Sequence, residues 1–292
     1  DGRRLAYVQS AGGKQAVVLD GQEQSAFDAV AALRFSPDSQ WFAYAARSGD
    51  AWQVVVGEKG QALYPRVGAP RFSPDSSRLA YIAMTPDGLR NVVVNNKPGE
   101  SYEQILEGRL YFSPQGARLA FGALIAGKWH VVLDGEPQAA HPFLGVGTGV
   151  AFSTDGTRVA YAAMDGEQWR MVIDGEPQPA YENVGQFLFS PDGTRTAYAA
   201  MKAGKWRVVL DASDQPPLDA IAEGSLLFSP DGKHFAYSAQ AGGAWRVVFD
   251  GEQGEAFEDI GQMLFSPNSE HFAYQAMAAG AQLVVLDGKQ GR

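Results

Sequence analysis

Short apolar segments recur along the whole chain, separated by polar, glycine-rich stretches, and none of them carries a helical period. Phe-Ser-Pro-Asp or a close variant begins at Phe35, Phe72, Phe112, Phe152, Phe189, Phe228 and Phe265, at spacings of 37, 40, 40, 37, 39 and 37 residues. An apolar-Ala-aromatic unit ends at Tyr7, Tyr44, Tyr81, Phe121, Tyr161, Tyr198, Tyr237 and Tyr274, with Thr196 in the apolar slot of one copy. A Val-Val-Leu-Asp type of unit ends at Asp20, Gly57, Asn95, Asp134, Asp174, Asp211, Asp250 and Asp287. A weaker fourth segment carries Phe27, Tyr64, Tyr102, Tyr181, Leu218 or Phe257. Four short strands per repeat at a period of about 40 residues are the signature of propeller blades.

Each segment has a physical reading. Strand A, as in Gln186-Phe187-Leu188-Phe189-Ser190, is short and buried. Ser-Pro-Asp-Gly then turns the chain: proline presets φ, aspartate bonds its own backbone, and glycine accepts positive φ. Strand B follows, as in Arg195-Thr196-Ala197-Tyr198-Ala199-Ala200, then a polar loop and strand C, as in Trp206-Arg207-Val208-Val209-Leu210. Asp-Gly after strand C signals a type I′ hairpin into strand D. Strands B and C are apolar on both faces, as in Val247-Val248-Phe249, which suits a sheet sandwiched between two others.

The fold expected is therefore all-β, a β-propeller of eight blades of four antiparallel strands, with seven blades as the alternative. The run from Leu5 to Gly21 is too good a repeat to be surplus and decides for eight. The segments read B-C-D, then A-B-C-D six times, then A-B-C. Residues 1–292 are expected to form a single propeller domain whose first inner strand lies upstream of residue 1, with strand D of the last blade also absent.

The repeats Phe-Ser-Pro-Asp-Gly followed by Leu/Phe-Ala-Tyr resemble those of the TolB-like, or WD-like, propeller family over essentially the whole chain. The resemblance implies the fold. It also implies either a partner-binding protein of a bacterial envelope or the gating domain of a prolyl-oligopeptidase-like enzyme. The latter carry a Gly-x-Ser-x-Gly elbow in a separate hydrolase domain, and this sequence has no such elbow. The family's namesake has six blades and an additional N-terminal domain, and this chain departs from it on both counts.

Charge narrows the partners. The net charge is −9 and no Lys/Arg-rich run occurs, which argues against a nucleic-acid backbone. No apolar run approaches the ~18 residues of a membrane span. There are no cysteines, hence no disulfide framework and no thiolate metal site, which fits an envelope protein.

Three residue sets have a bland and a sharp reading. Asp38, Asp75, Asp155, Asp192 and Asp231 could dock a cation or a basic partner. The Arg or His three positions later (Arg78, Arg158, Arg195, His234) favours local charge pairing within an Asp-x-x-Arg unit. Trp52, Trp129, Trp169, Trp206 and Trp245 share one slot at the start of strand C and read as inter-blade filler. Gln15, Arg90 and Gln282 in that slot show that it is half buried. His234 and His271 sit at equivalent positions about 10 Å apart by sheet packing, too far to share a zinc ion. No metal and no cofactor is expected.

Recognition is expected on the loops that vary, residues 46–50, 85–88 and 141–149. On that side Arg34 and Arg71 immediately precede the strand-A Phe and Arg109 lies three residues before its own. All three point the same way on successive inner strands and define a candidate anion or carboxylate site, with pairing to acids such as Glu107 as the bland alternative. The candidate binding residues are Arg34, Arg71, Arg109, His141 and Phe143. The expected function is a non-enzymatic binding or scaffold module for a protein partner, periplasmic or extracellular, within a larger chain or assembly. The alternatives are an enzyme with its site at the channel mouth (a lyase or glycan hydrolase) and a structural unit of a surface assembly.

Overall fold

The computed structural model describes residues 2–145 and 149–291. They form two compact units, Asp1–His141 and Pro142–Arg292. All regular structure among the described residues is strand.

The first unit holds four antiparallel sheets. The first has three strands, Ala6–Ala11, Lys14–Leu19 and Gln22–Phe27. The second runs Ala29–Phe35, Phe42–Ser48, Ala51–Val56 and Lys59–Gly60. In the third, the inner strand is split into Arg66–Val67 and Arg71–Phe72, both paired to Leu79–Met84. Arg90–Val94 and Lys97–Tyr102 complete it. The fourth repeats the split with Gln104–Ile105 and Tyr111–Phe112 on Leu119–Ile125, followed by Lys128–Leu133 and Glu136–His141.

The second unit repeats the plan four times around the strands Val159–Asp165, Thr196–Lys202, Phe235–Ala241 and Phe272–Ala278. The last sheet does have a strand D, Lys289–Gln290, contrary to expectation. Asp287 (φ 49°) and Gly288 (φ 74°) make the type I′ turn that returns the chain onto Ala281–Leu286.

Within each unit, each sheet packs a face on the next. In the first unit, Val17 of the first sheet meets Phe42, Tyr44 and Val55 of the second. Ala43 and Val54 then meet Tyr81 and Val93 of the third, and Ile82 and Val92 meet Ile105 and Phe121 of the fourth. In the second unit, Met171 packs with Tyr198, Val208 with Tyr237, and Val247 with Tyr274. This explains strands such as Phe42–Ala46 that are buried on both faces. Successive antiparallel sheets stacked in this way define the β-propeller class.

The aspartate turns follow the bland reading. Ser36 Oγ donates to Asp38 Oδ1 at 2.5 Å, and Gln40 N donates to the same oxygen at 3.0 Å. Ser73–Asp75, Ser153–Asp155, Ser190–Asp192 and Ser229–Asp231 repeat the bond. These bonds, the serine's foremost, hold the carboxyls below the usual range.

The Asp-x-x-Arg pairing, however, is not the one expected. Four arginines at the start of strand B meet the aspartate at the end of strand C in their own sheet, sixteen residues on: Arg4–Asp20, Arg118–Asp134, Arg158–Asp174 and Arg195–Asp211, at 2.8 to 2.9 Å, whereas Arg78 has Asn95 at the end of strand C. His234 and His271 do the same with Asp250 and Asp287. Antiparallel pairing of strands B and C brings these two turns to one end of the sheet, whereas the turn aspartate is already saturated by serine and backbone.

Candidate anion-binding cavity

The inner strand of the third sheet must pass Tyr81 and Ile82 with one residue too many. Val67 pairs with Ala83 and Arg71 with Ala80, so Gly68, Ala69 and Pro70 bow outward opposite two residues. Gly68 N donates to Ile82 O at 2.7 Å and anchors the bow. Arg66 and Arg71 stand on either side of it.

At the far end of the same sheet Arg90 opens strand C and pairs in register with both Met84 and Tyr102. This is the slot that Trp52, Trp129, Trp169, Trp206 and Trp245 fill elsewhere. Trp169 and Trp245 pack there, half-buried, against the core of the following junction. An arginine in place of indole leaves space unfilled and adds a cation.

The result is a cavity of about 530 Å³ lined by Arg34, Arg66, Arg71, Arg90 and Glu107 over an apolar floor that includes Ile82, Met84 and Leu110. Four guanidinium groups face one carboxylate. That carboxylate, Glu107, lies 4.0 Å from Arg66, with both side chains well exposed, a geometry that neutralises little. Arg71 Nη1 donates to Leu110 O at 2.6 Å, Arg34 Nη1 to Leu33 O at 3.1 Å and Arg90 Nη1 to Gly88 O at 2.7 Å. These bonds orient the three side chains through backbone carbonyls. Among the described residues, none of the three forms an ion pair with a carboxylate. A guanidinium oriented in this way and short of an anion is suited to bidentate carboxylate recognition.

The structure thus brings Arg34 and Arg71 together. Arg109 does not line the cavity; it is half-buried and donates to Tyr111 Oη at 3.3 Å. His141 does not open a loop: it closes the strand Glu136–His141, is 7% exposed and sits in register with Trp129. Twelve residues after the strand-C slot it occupies the position of Tyr64, Tyr102 and Tyr181, a spacing that marks it as a packing residue. Phe143 also lies in a strand, Phe143–Leu144, in register with Met164, and remains exposed. Of the expected loop, Val146, Gly147 and Thr148 lie outside the described residues. Sequence reasoning missed Arg66 and Arg90; the departure from tryptophan at Arg90 was the available signal.

Among the described residues no cluster of three His, Asp or Glu side chains is placed to hold a metal ion, and no helix is long and apolar enough to cross a membrane.

By sequence, the chain matches no family model and no curated protein. By structure it is similar to the crystal structure of the eukaryotic initiation factor, with a TM-score of 0.51 at 11% identity over 98% of this chain and 84% of that one. TolB from Acinetobacter baumannii gives a TM-score of 0.35 at 14% identity over 87% of this chain and 81% of that chain. The β-propeller domain of the Trilobed protease from Pyrococcus furiosus gives 0.38 at 14% identity over 98% and 95%. At such identities a likeness speaks to fold alone.

Proposed function

We propose that this chain is a non-catalytic binding module that captures carboxylates of an acidic segment on a partner protein in the cavity lined by Arg34, Arg66, Arg71 and Arg90. The observation that carries the proposal is the convergence of four arginines on one cavity, in a chain whose net charge is −9. Elsewhere in the chain, arginines of the strand B starts are paired with aspartates of their own sheet. The apolar floor suits the methylene or aromatic body of an acidic side chain or chain terminus. The repeat resemblance and the absence of cysteine support a site of action in a bacterial envelope or outside the cell.

The test uses an octaglutamate peptide and calorimetric titration at two salt concentrations. Replacing Arg34 and Arg71 together by Gln should weaken binding by about tenfold or more and flatten its salt dependence. Arg90→Trp, which restores the residue of five other sheets, should fill the cavity and abolish binding while the protein stays folded. Unchanged affinity and salt dependence in both variants would refute the site.

A further inference from the structure

Most sheets close strand C with an aspartate, as at Asp134, Asp174 and Asp211; the third closes it with Asn95. Where the aspartate is present, its two oxygens divide their work. In the fourth sheet Leu119 N donates to Asp134 Oδ1 at 2.8 Å and Arg118 Nε to Asp134 Oδ2 at 2.9 Å. Asn95 keeps the first bond, with Leu79 N donating to its Oδ1 at 2.8 Å. Its other terminal group is therefore the Nδ2 amide, a donor, standing where aspartate offers an acceptor.

Arg78 keeps the pose of its counterparts. Its Nη1 donates to Gly116 O at 3.2 Å and Ala117 O at 2.7 Å, as Arg195 Nη1 does to Gly232 O and Lys233 O. The Nε of Arg195 then meets Asp211 Oδ2 at 2.9 Å, so the Nε of Arg78 points at the Nδ2 group of Asn95. Two donors converge where other sheets place an acceptor. Among the described residues no carboxylate pairs with Arg78, in contrast to Arg118, Arg158 and Arg195.

The same sheet leaves space beside these donors. Four residues after the end of strand C, Gln138 and Gln178 lie half-buried and fold back to donate to Glu136 O at 3.1 Å and Glu176 O at 3.2 Å. The third sheet has Gly99 there, and a Cβ on it would meet Val92 O at 3.3 Å and nothing else within 4 Å. The last strand-C residue is Val94, where Leu133, Ile173, Leu210 and Phe249 are larger. Gly254 also takes the glutamine position, but in that sheet Phe249 packs on Phe265 and Phe272 at 6.0 and 5.3 Å between ring centroids. The third sheet has neither filler. A cavity of about 610 Å³ results, walled by Val92, Val94 and Tyr102 of the third sheet and by Leu119 and Phe121 of the fourth. Its charged lining is Arg78 and Lys97 against Glu100, together with Asp134, which Arg118 already neutralises. One cation is left in excess.

We propose that this cavity binds a monocarboxylate with an apolar body, its carboxylate bridging Arg78 Nε and Asn95 Nδ2 and its body lying on Val92, Val94, Leu119 and Phe121. A carboxylate oxygen takes the place that aspartate Oδ2 holds in other sheets, one negative charge balances the excess cation, and the hydrocarbon body occupies the room left by glutamine and leucine. A free medium-chain acid and the apolar C-terminal residue of a polypeptide share this chemistry. The site has no lining residue in common with the arginine cavity. Arg90 and Asn95 stand at opposite ends of strand C, about 17 Å apart by strand rise.

Calorimetric titration of the full chain with decanoate and with N-acetylalanylphenylalanine tests the proposal, and the tighter of the two identifies the source. Decanol, which lacks the charge, and acetate, which lacks the body, should bind at least about tenfold more weakly than that acid. Asn95→Asp supplies Arg78 with the missing carboxylate, and Gly99→Gln fills the space. Each installs the residue that most other sheets carry, so the fold is retained, and each should weaken binding by about tenfold or more. Arg34→Gln with Arg71→Gln should leave it unchanged. Binding of neither acid, equal binding of decanol, unaltered affinity in Asn95→Asp and Gly99→Gln, or loss of binding in the double arginine variant would overturn the proposal.

Discussion

Arg195 ties two sheets together through one side chain, and its removal has a calculable cost. Its Nε lies 2.9 Å from Asp211 Oδ2, and Nη1 donates to Lys233 O at 2.8 Å and Gly232 O at 3.3 Å in the next sheet. The guanidinium carbon stands 5.3 Å from the centre of the Phe228 ring. The ion pair is partly exposed, with the aspartate side chain 44% accessible, and contributes about 0.5 kcal/mol. The cation over the ring adds about 0.5–1 kcal/mol. Charge-assisted bonds from a single nitrogen to two carbonyls add about 1–1.5 kcal/mol once solvent is allowed for. Arg195→Ala should therefore cost about 2–3 kcal/mol. The third sheet contains the natural control: Asn95 replaces aspartate, its Oδ1 still accepts from Leu79 N at 2.8 Å, and Arg78 still reaches Gly116 O and Ala117 O. Asp211→Asn should likewise keep the bond from Thr196 N and cost only about 0.5 kcal/mol. Urea unfolding of both single variants and the double variant measures these terms and their coupling. A cost of Arg195→Ala equal to that of Asp211→Asn would show that the inter-sheet bonds stabilise nothing.

Three further outcomes are expected. Ala212 holds φ 63° in a turn where most other sheets have glycine, so Ala212→Gly should stabilise by about 0.5–1 kcal/mol; a loss of stability in urea would contradict the strain argument. Trp245 is half-buried against the cluster around Phe257 and Ile260, so Trp245→Ala should cost about 2–3 kcal/mol, below the range for a fully buried indole, while octaglutamate binding stays unchanged. The turn carboxyls of Asp38, Asp75, Asp155, Asp192 and Asp231 titrate lower when folded than when unfolded, so the unfolded chain holds more protons in mild acid. Their stabilisation is complete above the unfolded value of about 4 and is lost as pH falls through the folded values; urea midpoints that rise below pH 4 would reverse the sign.

Much of this protein is local and therefore legible without coordinates. Strand segments, Ser-Pro-Asp-Gly turns and Asp-Gly hairpins each depend on a few adjacent residues, through preset φ, self-bonded carboxylates and glycine's freedom, and they recur in phase. The both-face apolar character of strands B and C announced the sandwiching of sheets. Arg34 and Arg71 could be placed on one side because their step from the strand-A phenylalanine is the same. The partner of each arginine could not be read, because Arg195 and Asp211 meet only when strands B and C close a hairpin between them. The same holds for the cavity. Arg66, Arg90 and Glu107 come from two sheets, and the space between them exists because a bowed inner strand and an arginine in a tryptophan slot coincide. His141 shows the reverse error: near a glycine-rich stretch it read as loop, whereas the hairpin register buries it beside Trp129. Sequence alone determined the strands and turns, since their causes are short-range; the tertiary structure decided which charges meet and where the arginine cavity lies, since those depend on residues brought together only by packing.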